Sequence, residues 1–133
     1  MSLMVAALPA LASPDASSWL NGFRSNGGRG ALVWSDRLAL AAQIHASDMA
    51  EQGYFSHTGR NGASVGDRAR GVGYNWCLVA ENIAKGQVSL TEVMRDWAES
   101  PGHRKNMLNG QVTEFGMAWA TGDVWVMVLA RRC

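Results

Sequence analysis

"EFGMAWATGDVWVMVLARR", Glu114 to Arg132, holds two apolar runs separated by Thr121-Gly122-Asp123. A short turn rich in Gly and Asp between such runs predicts a β-hairpin. The second run, Val124 to Ala130, has no polar alternation. A strand apolar on both faces belongs in the middle of a sheet covered on both sides. The covering layers must therefore come from the rest of the chain, and upstream the pattern is helical.

"SDRLALAAQIHASDMAEQGYF" is the clearest helix, with Ser35 as cap, Leu38, Ala41, Ala42, His45 and Met49 at helical spacing, and Gly53 at its end. Pro14 to Arg24 reads as a short amphipathic helix with Trp19, Leu20 and Phe23 on one stripe, broken by "SNGGRG". "SLTEVMRDWAE" opens on a Ser89–Glu92 capping box and places Val93 and Trp97 at i,i+4. "CLVAENIAKG" reads as a short strand. Helices come early and strands late, which predicts an α+β sandwich.

The chain has 133 residues, 17% of them charged, a net charge of +1, six Trp and seven Met. That is one globular domain with material for a real core. No basic run offers a footprint for nucleic acid. Residues 1–12, "MSLMVAALPALA", are apolar, too short to span a bilayer, and end in an A-x-A cleavage pattern. We read them as an expression-vector start joined to the tail of a signal peptide, leaving residues 13–133 as the domain. Cys77 and Cys133 fit that reading: an even count in an exported protein predicts one disulfide.

Chemistry-bearing residues are few. Of the three His, His45 lies mid-helix and reads as structural, His57 follows a helix exit, and His103 falls in the first turn of a short helix. In "DWAESPGHRKNM", Asp96 to Met107, Ser100-Pro101 ends one helix at Glu99 and starts the next. Glu81 sits in an otherwise apolar strand, where a carboxylate is costly unless paired, metal-bound or facing a cavity. Imidazole and carboxylate suit Zn²⁺ and similar ions, but no H-E-x-x-H metalloprotease motif is present. "GASVG", Gly62 to Gly66, matches a serine-hydrolase pattern without the strand that pattern requires, so Ser64 reads as a helix cap, with Asp67 completing a capping box.

Taken in order, "GYFSHTGRNG", "VAENIAKG", "WAESPGHRKNML" and "EFGMAWA" resemble the CAP superfamily of cysteine-rich secretory, antigen 5 and pathogenesis-related proteins, most of all its short bacterial SCP-like branch. The resemblance implies an α-β-α sandwich with a small, mostly antiparallel sheet. It implies a cavity lined by His57, Glu81, Glu99 and His103, with a divalent ion, Zn²⁺ foremost, on His57 and His103. The eukaryotic branches continue differently after "GH" and carry more disulfides, so their specialised functions do not transfer. The resulting expectation is a secreted or periplasmic monomer with no transmembrane segment, binding a metal ion or small polar ligand. Two alternatives stand beside it. One is a metal-assisted hydrolase of peptide or cell-wall material with Glu81 or Glu99 as base. The other is a lipid or hydrophobic-ligand binder.

Overall fold

A computed structural model describes residues 3–133, with side chains from Pro14 onward. The signal-remnant reading of residues 1–12 lies outside the described side chains. In chain order the elements are α1 (Leu3–Asn26), β1 (Val33–Trp34), α2 (Asp36–Gln52), α3 (Val65–Gly71), β2 (Trp76–Lys85), α4 (Leu90–Glu99), α5 (Pro101–Met107), β3 (Glu114–Ala120) and β4 (Val124–Arg132). The first helix runs well upstream of the expected Pro14 start. The Ala and Leu residues before Pro14 favour helix, against the cost of Pro9 and Pro14, each of which removes a backbone donor from it.

The sheet order is β1-β3-β4-β2, antiparallel except for the two-residue β1–β3 pairing. β4 is central, as its doubly apolar sequence requires, and Val124 through Ala130 are all buried. The turn before it puts both Gly122 (φ 88°) and Asp123 (φ 57°) in the left-handed region. That conformation suits Gly and is tolerated by Asp, and it matches the twist of a tight hairpin.

Alternation along the strands divides the core in two. Phe115, Met117, Trp125, Met127 and Leu129 pack against Leu20 of α1, Val93, Met94 and Trp97 of α4, and Met107 of α5. Ala118, Val124, Val126, Val128 and Ile83 pack against Leu38, Ala42, Ala46 and Met49 of α2 and Ala69 of α3. This is the three-layer α-β-α sandwich. Arg24, 2% exposed, locks the α1 end to the α5 end by donating to the carbonyls of Gly30, Met107 and Asn109.

Local chemistry sets the helix ends. Ser35 caps α2 through the Leu38 amide, and Gly53 closes it in the left-handed conformation. Ser64 and Asp67 form the expected capping box on α3. On α4 Ser89 caps the Glu92 amide, but the Glu92 carboxylate accepts from Val88 N–H rather than from Ser89. The Cys77–Cys133 disulfide, with Cα atoms 4.8 Å apart, joins the C-terminus to the start of β2.

Candidate functional site

β2 is an edge strand, and the site is built across that edge. Two of its carbonyls are taken by side chains instead of another strand: Asn106 Nδ2 donates to Glu81 O (3.3 Å) and Trp97 Nε1 to Ile83 O (3.1 Å). Adjacent residues of a strand point to opposite faces. Glu81 accordingly serves the α2/α3 layer, while Asn82 serves the α5 layer. The fully buried Asn82 donates to the His103 carbonyl (3.2 Å) and accepts from Asn106 Nδ2 (2.9 Å). The first turn of α5 is thereby clamped to β2.

The Glu81 side chain is only 2% exposed. Its two oxygens have separate partners: Oε1 accepts from His57 Nδ1 and Oε2 from Arg68 Nη2, both at 2.8 Å. A guanidinium from α3 thus neutralises the carboxylate that the apolar strand would otherwise penalise. Arg68 also donates to the carbonyls of His57 (2.9 Å) and Ala63 (3.0 Å), fixing the loop that carries His57.

A carboxylate only accepts, so His57 donates from Nδ1. In the neutral ring Nε2 then carries the lone pair, on a side chain that is 59% exposed. His103 is half-buried, with Nδ1 2.9 Å from Ser100 Oγ. Burial first, and then the charge of nearby His57, hold its pKa below the usual imidazole range. The charge of His57 thus adds to burial in disfavouring protonation of His103. Ser100 occupies the N-cap position of α5 but makes no side-chain cap; its hydroxyl is drawn to His103 instead.

The structure therefore brings His57 and Glu81 into contact, while His103 is held by Ser100 and feels the charge of His57. Glu99, the last residue of α4, is exposed, and its carboxylate has no hydrogen-bond partner among the described residues. His45 behaves as the structural histidine expected. It is buried, its pKa is lowered chiefly by burial, and Nε2–H donates to Ser56 O (2.7 Å), just before His57.

No three His, Cys, Asp or Glu among the described residues are grouped to hold a metal ion. Imidazole nitrogens such as those of His57 and His103 are the donor type of an open site completed by solvent, not of a closed four-ligand zinc site. Both Glu81 oxygens are committed to protein partners, whereas the Glu99 carboxylate has none among the described residues. The sequence reading missed Arg68, Asn82 and Asn106. The available signal was Glu81 itself, since a buried acid demands a cation from some neighbouring element.

The sequence model of the CAP family, "Cysteine-rich secretory protein family", matches residues 18–129. An uncharacterised Bacillus subtilis protein, YkwD, is 34% identical over 106 residues, covering 79% of this chain and 41% of YkwD. YlbC, an uncharacterised membrane protein of the same organism, is 34% identical over 97 residues, covering 73% of this chain and 28% of YlbC. The chain thus spans less than half the length of these curated relatives. A Bacillus anthracis extracellular protein containing an SCP domain superposes with a TM-score of 0.86 at 29% identity, covering 90% of this chain and 40% of the other. An outer surface protein from Borrelia burgdorferi shares the fold with a TM-score of 0.79 at 23% identity, covering 88% of this chain and 90% of the other.

Proposed function

The chain belongs to the CAP family of cysteine-rich secretory proteins, and from that premise we propose that it is an exported domain whose His57 and His103 hold a divalent cation, Zn²⁺ by donor chemistry, in an open site over the β2 edge. The observation that carries this is the Arg68–Glu81–His57 chain. A buried carboxylate, itself held by a guanidinium, accepts from Nδ1 and leaves Nε2 as the outward donor atom. A carboxylate behind a ligating imidazole fixes its tautomer and raises its basicity. The depressed His103 pKa keeps that ring neutral and able to ligate near neutral pH.

Export is supported by the disulfide and by likeness to an extracellular SCP protein. No described helix is long and apolar enough to cross a membrane. With two protein nitrogens and solvent as ligands, affinity is modest and the ion exchangeable, and Glu99 at the α4 end is available to a polar ligand brought to it.

Calorimetric titration with Zn²⁺ at about pH 7.5 and about pH 5.5 tests the reading, since protonation of either imidazole competes with the metal. Binding at the higher pH that is weakened at the lower one and abolished in His57→Ala and His103→Ala supports it. Equal binding by wild type and His57→Ala overturns it, and the His57–Glu81–Arg68 group is then a purely structural network.

A further inference from the structure

A second concavity lies on the α2 side, away from α5. It is a cleft of about 330 Å³ between α2 and the 59–63 loop, lined among others by Ile44, Asp48, Glu51, Arg60, Asn61 and Ala63. Its walls are pinned to one another. The Tyr54 hydroxyl donates to Asp48 Oδ2 and accepts from the Arg60 amide (3.3 Å), while Arg60 Nη1 donates to Gln52 Oε1 (2.9 Å). His45 holds the start of the same loop through Ser56 O. These bonds tie the loop to the C-terminal half of α2.

Charges of both signs face this space without pairing across it. The three ion pairs among the described residues are His57–Glu81, Arg68–Glu81 and Arg132–Glu114, and none joins Asp48 or Glu51 to Arg60. Arg68 also lines the cleft; its charge is paired with Glu81, but its buried Nε–H has no acceptor among the described residues, which leaves one unmet donor at that end. A simple cation would face the guanidinium groups, and a simple anion would face two carboxylates. A dipolar ligand satisfies both sets. Ile44, 47% exposed, and Ala63 add an apolar contact at the wall. The volume stands at the small end of ligand sites, about 300–1,000 Å³.

We propose that this cleft binds a free aliphatic α-amino acid, its ammonium at Asp48 and Glu51, its carboxylate toward Arg60, and its side chain against Ile44. The proposal is independent of the metal reading. The test is a ¹H–¹⁵N NMR titration of the intact chain with L-leucine, with N-acetyl-L-leucine, which lacks the ammonium, and with L-leucinamide, which lacks the carboxylate. Saturable shifts with leucine at the amides of residues 44–51 and 59–63 are expected. Each analogue should bind at least about tenfold more weakly, because each loses a charge-assisted contact. Glu51→Gln and Arg60→Gln, both at exposed positions, should weaken leucine binding by about tenfold as well while leaving the spectrum folded. No saturable shift up to about 10 mM leucine, analogues that bind as well as leucine, or shifts centred on His57 and His103 would overturn the proposal.

Discussion

Arg68 Nη2 lies 2.8 Å from Glu81 Oε2, and with side chains 7% and 2% exposed the two form the most buried ion pair among the described residues. The same guanidinium nitrogen reaches the His57 carbonyl, so one side chain sets both the acid behind the imidazole and the loop that bears it. Arginine suits this because its planar fork addresses several acceptors at fixed angles. The site's geometry is thus decided by a residue that is not itself a candidate ligand.

Arg68→Met should lower stability by about 3–5 kcal/mol, because it strands a buried carboxylate without its cation. Arg68→Lys keeps a charge but cannot fork, so the loss should be smaller, with the 57–63 loop released. Urea unfolding measures the first effect. Imidazole ¹⁵N shifts measure the second, as His57 loses its fixed Nδ1–H tautomer. A His57 tautomer unchanged in Arg68→Lys would refute the positioning role.

Glu81→Gln should destabilise by about 1–3 kcal/mol, since the amide puts a donor against either His57 Nδ1–H or Arg68 Nη2–H. Glu99→Gln, at an exposed helix end with no described partner, should stay within about 0.5 kcal/mol. Thermal and urea melts of both variants decide it. An equal or larger loss at Glu99 reverses the assignment.

The pH dependence follows from two imidazoles. Burial is the first cause holding His45 and His103 below the ordinary imidazole value of 6.5. Protonation therefore favours the unfolded chain: their contribution is fully present above about pH 6.5 and is lost as pH falls toward the folded-state values. The melting temperature should be flat from about pH 8 to about pH 7 and decline below about pH 6.5. Ring-proton NMR should place both midpoints below 6.5. Stability rising as pH falls through that window would contradict the burial argument.

The parts of the fold legible in the sequence are those in which one residue type answers one local need. The unbroken apolar run of β4 demanded two covering layers, and Ser35, Ser64 and Gly53 announced helix ends. β1 was silent because two residues carry no periodicity. The reciprocal bond of Glu92 slipped by one residue to Val88, a choice of side-chain rotamer that sequence spacing leaves open. At the site, Glu81 declared a need for a partner but not its identity. Arg68 was hidden in a glycine-rich stretch whose helical turn reaches β2 only through tertiary packing. Ser100 shows the reverse case: its position was correct for a cap, but a nearby imidazole outcompeted the amide.

Gly116 offers the sharpest test of how the scaffold supports the site. It lies on β3 opposite Val128, on the face covered by α2. A Cβ there would fall 2.6 Å from both Ala39 Cα and Leu38 C, which are backbone atoms of α2 and not a side chain that could swing away. The helix is held close at this point, because Ser35 N–H donates to Phe115 O (2.8 Å) and Ser35 Oγ caps the Leu38 amide. Gly116→Ala must therefore lift the N-terminal half of α2 from the sheet, with Leu38 and Ala42 losing their packing against Val126 and Val128. The overpacking cost should be about 3 kcal/mol or more. The shift travels along α2 to His45, whose bond to Ser56 O locates the His57 loop. Zn²⁺ affinity should therefore fall in this variant even under conditions where it remains folded. Urea unfolding and calorimetry on the same preparation read both effects. A stability change within about 0.5 kcal/mol would show that α2 and β3 are not in the close contact described.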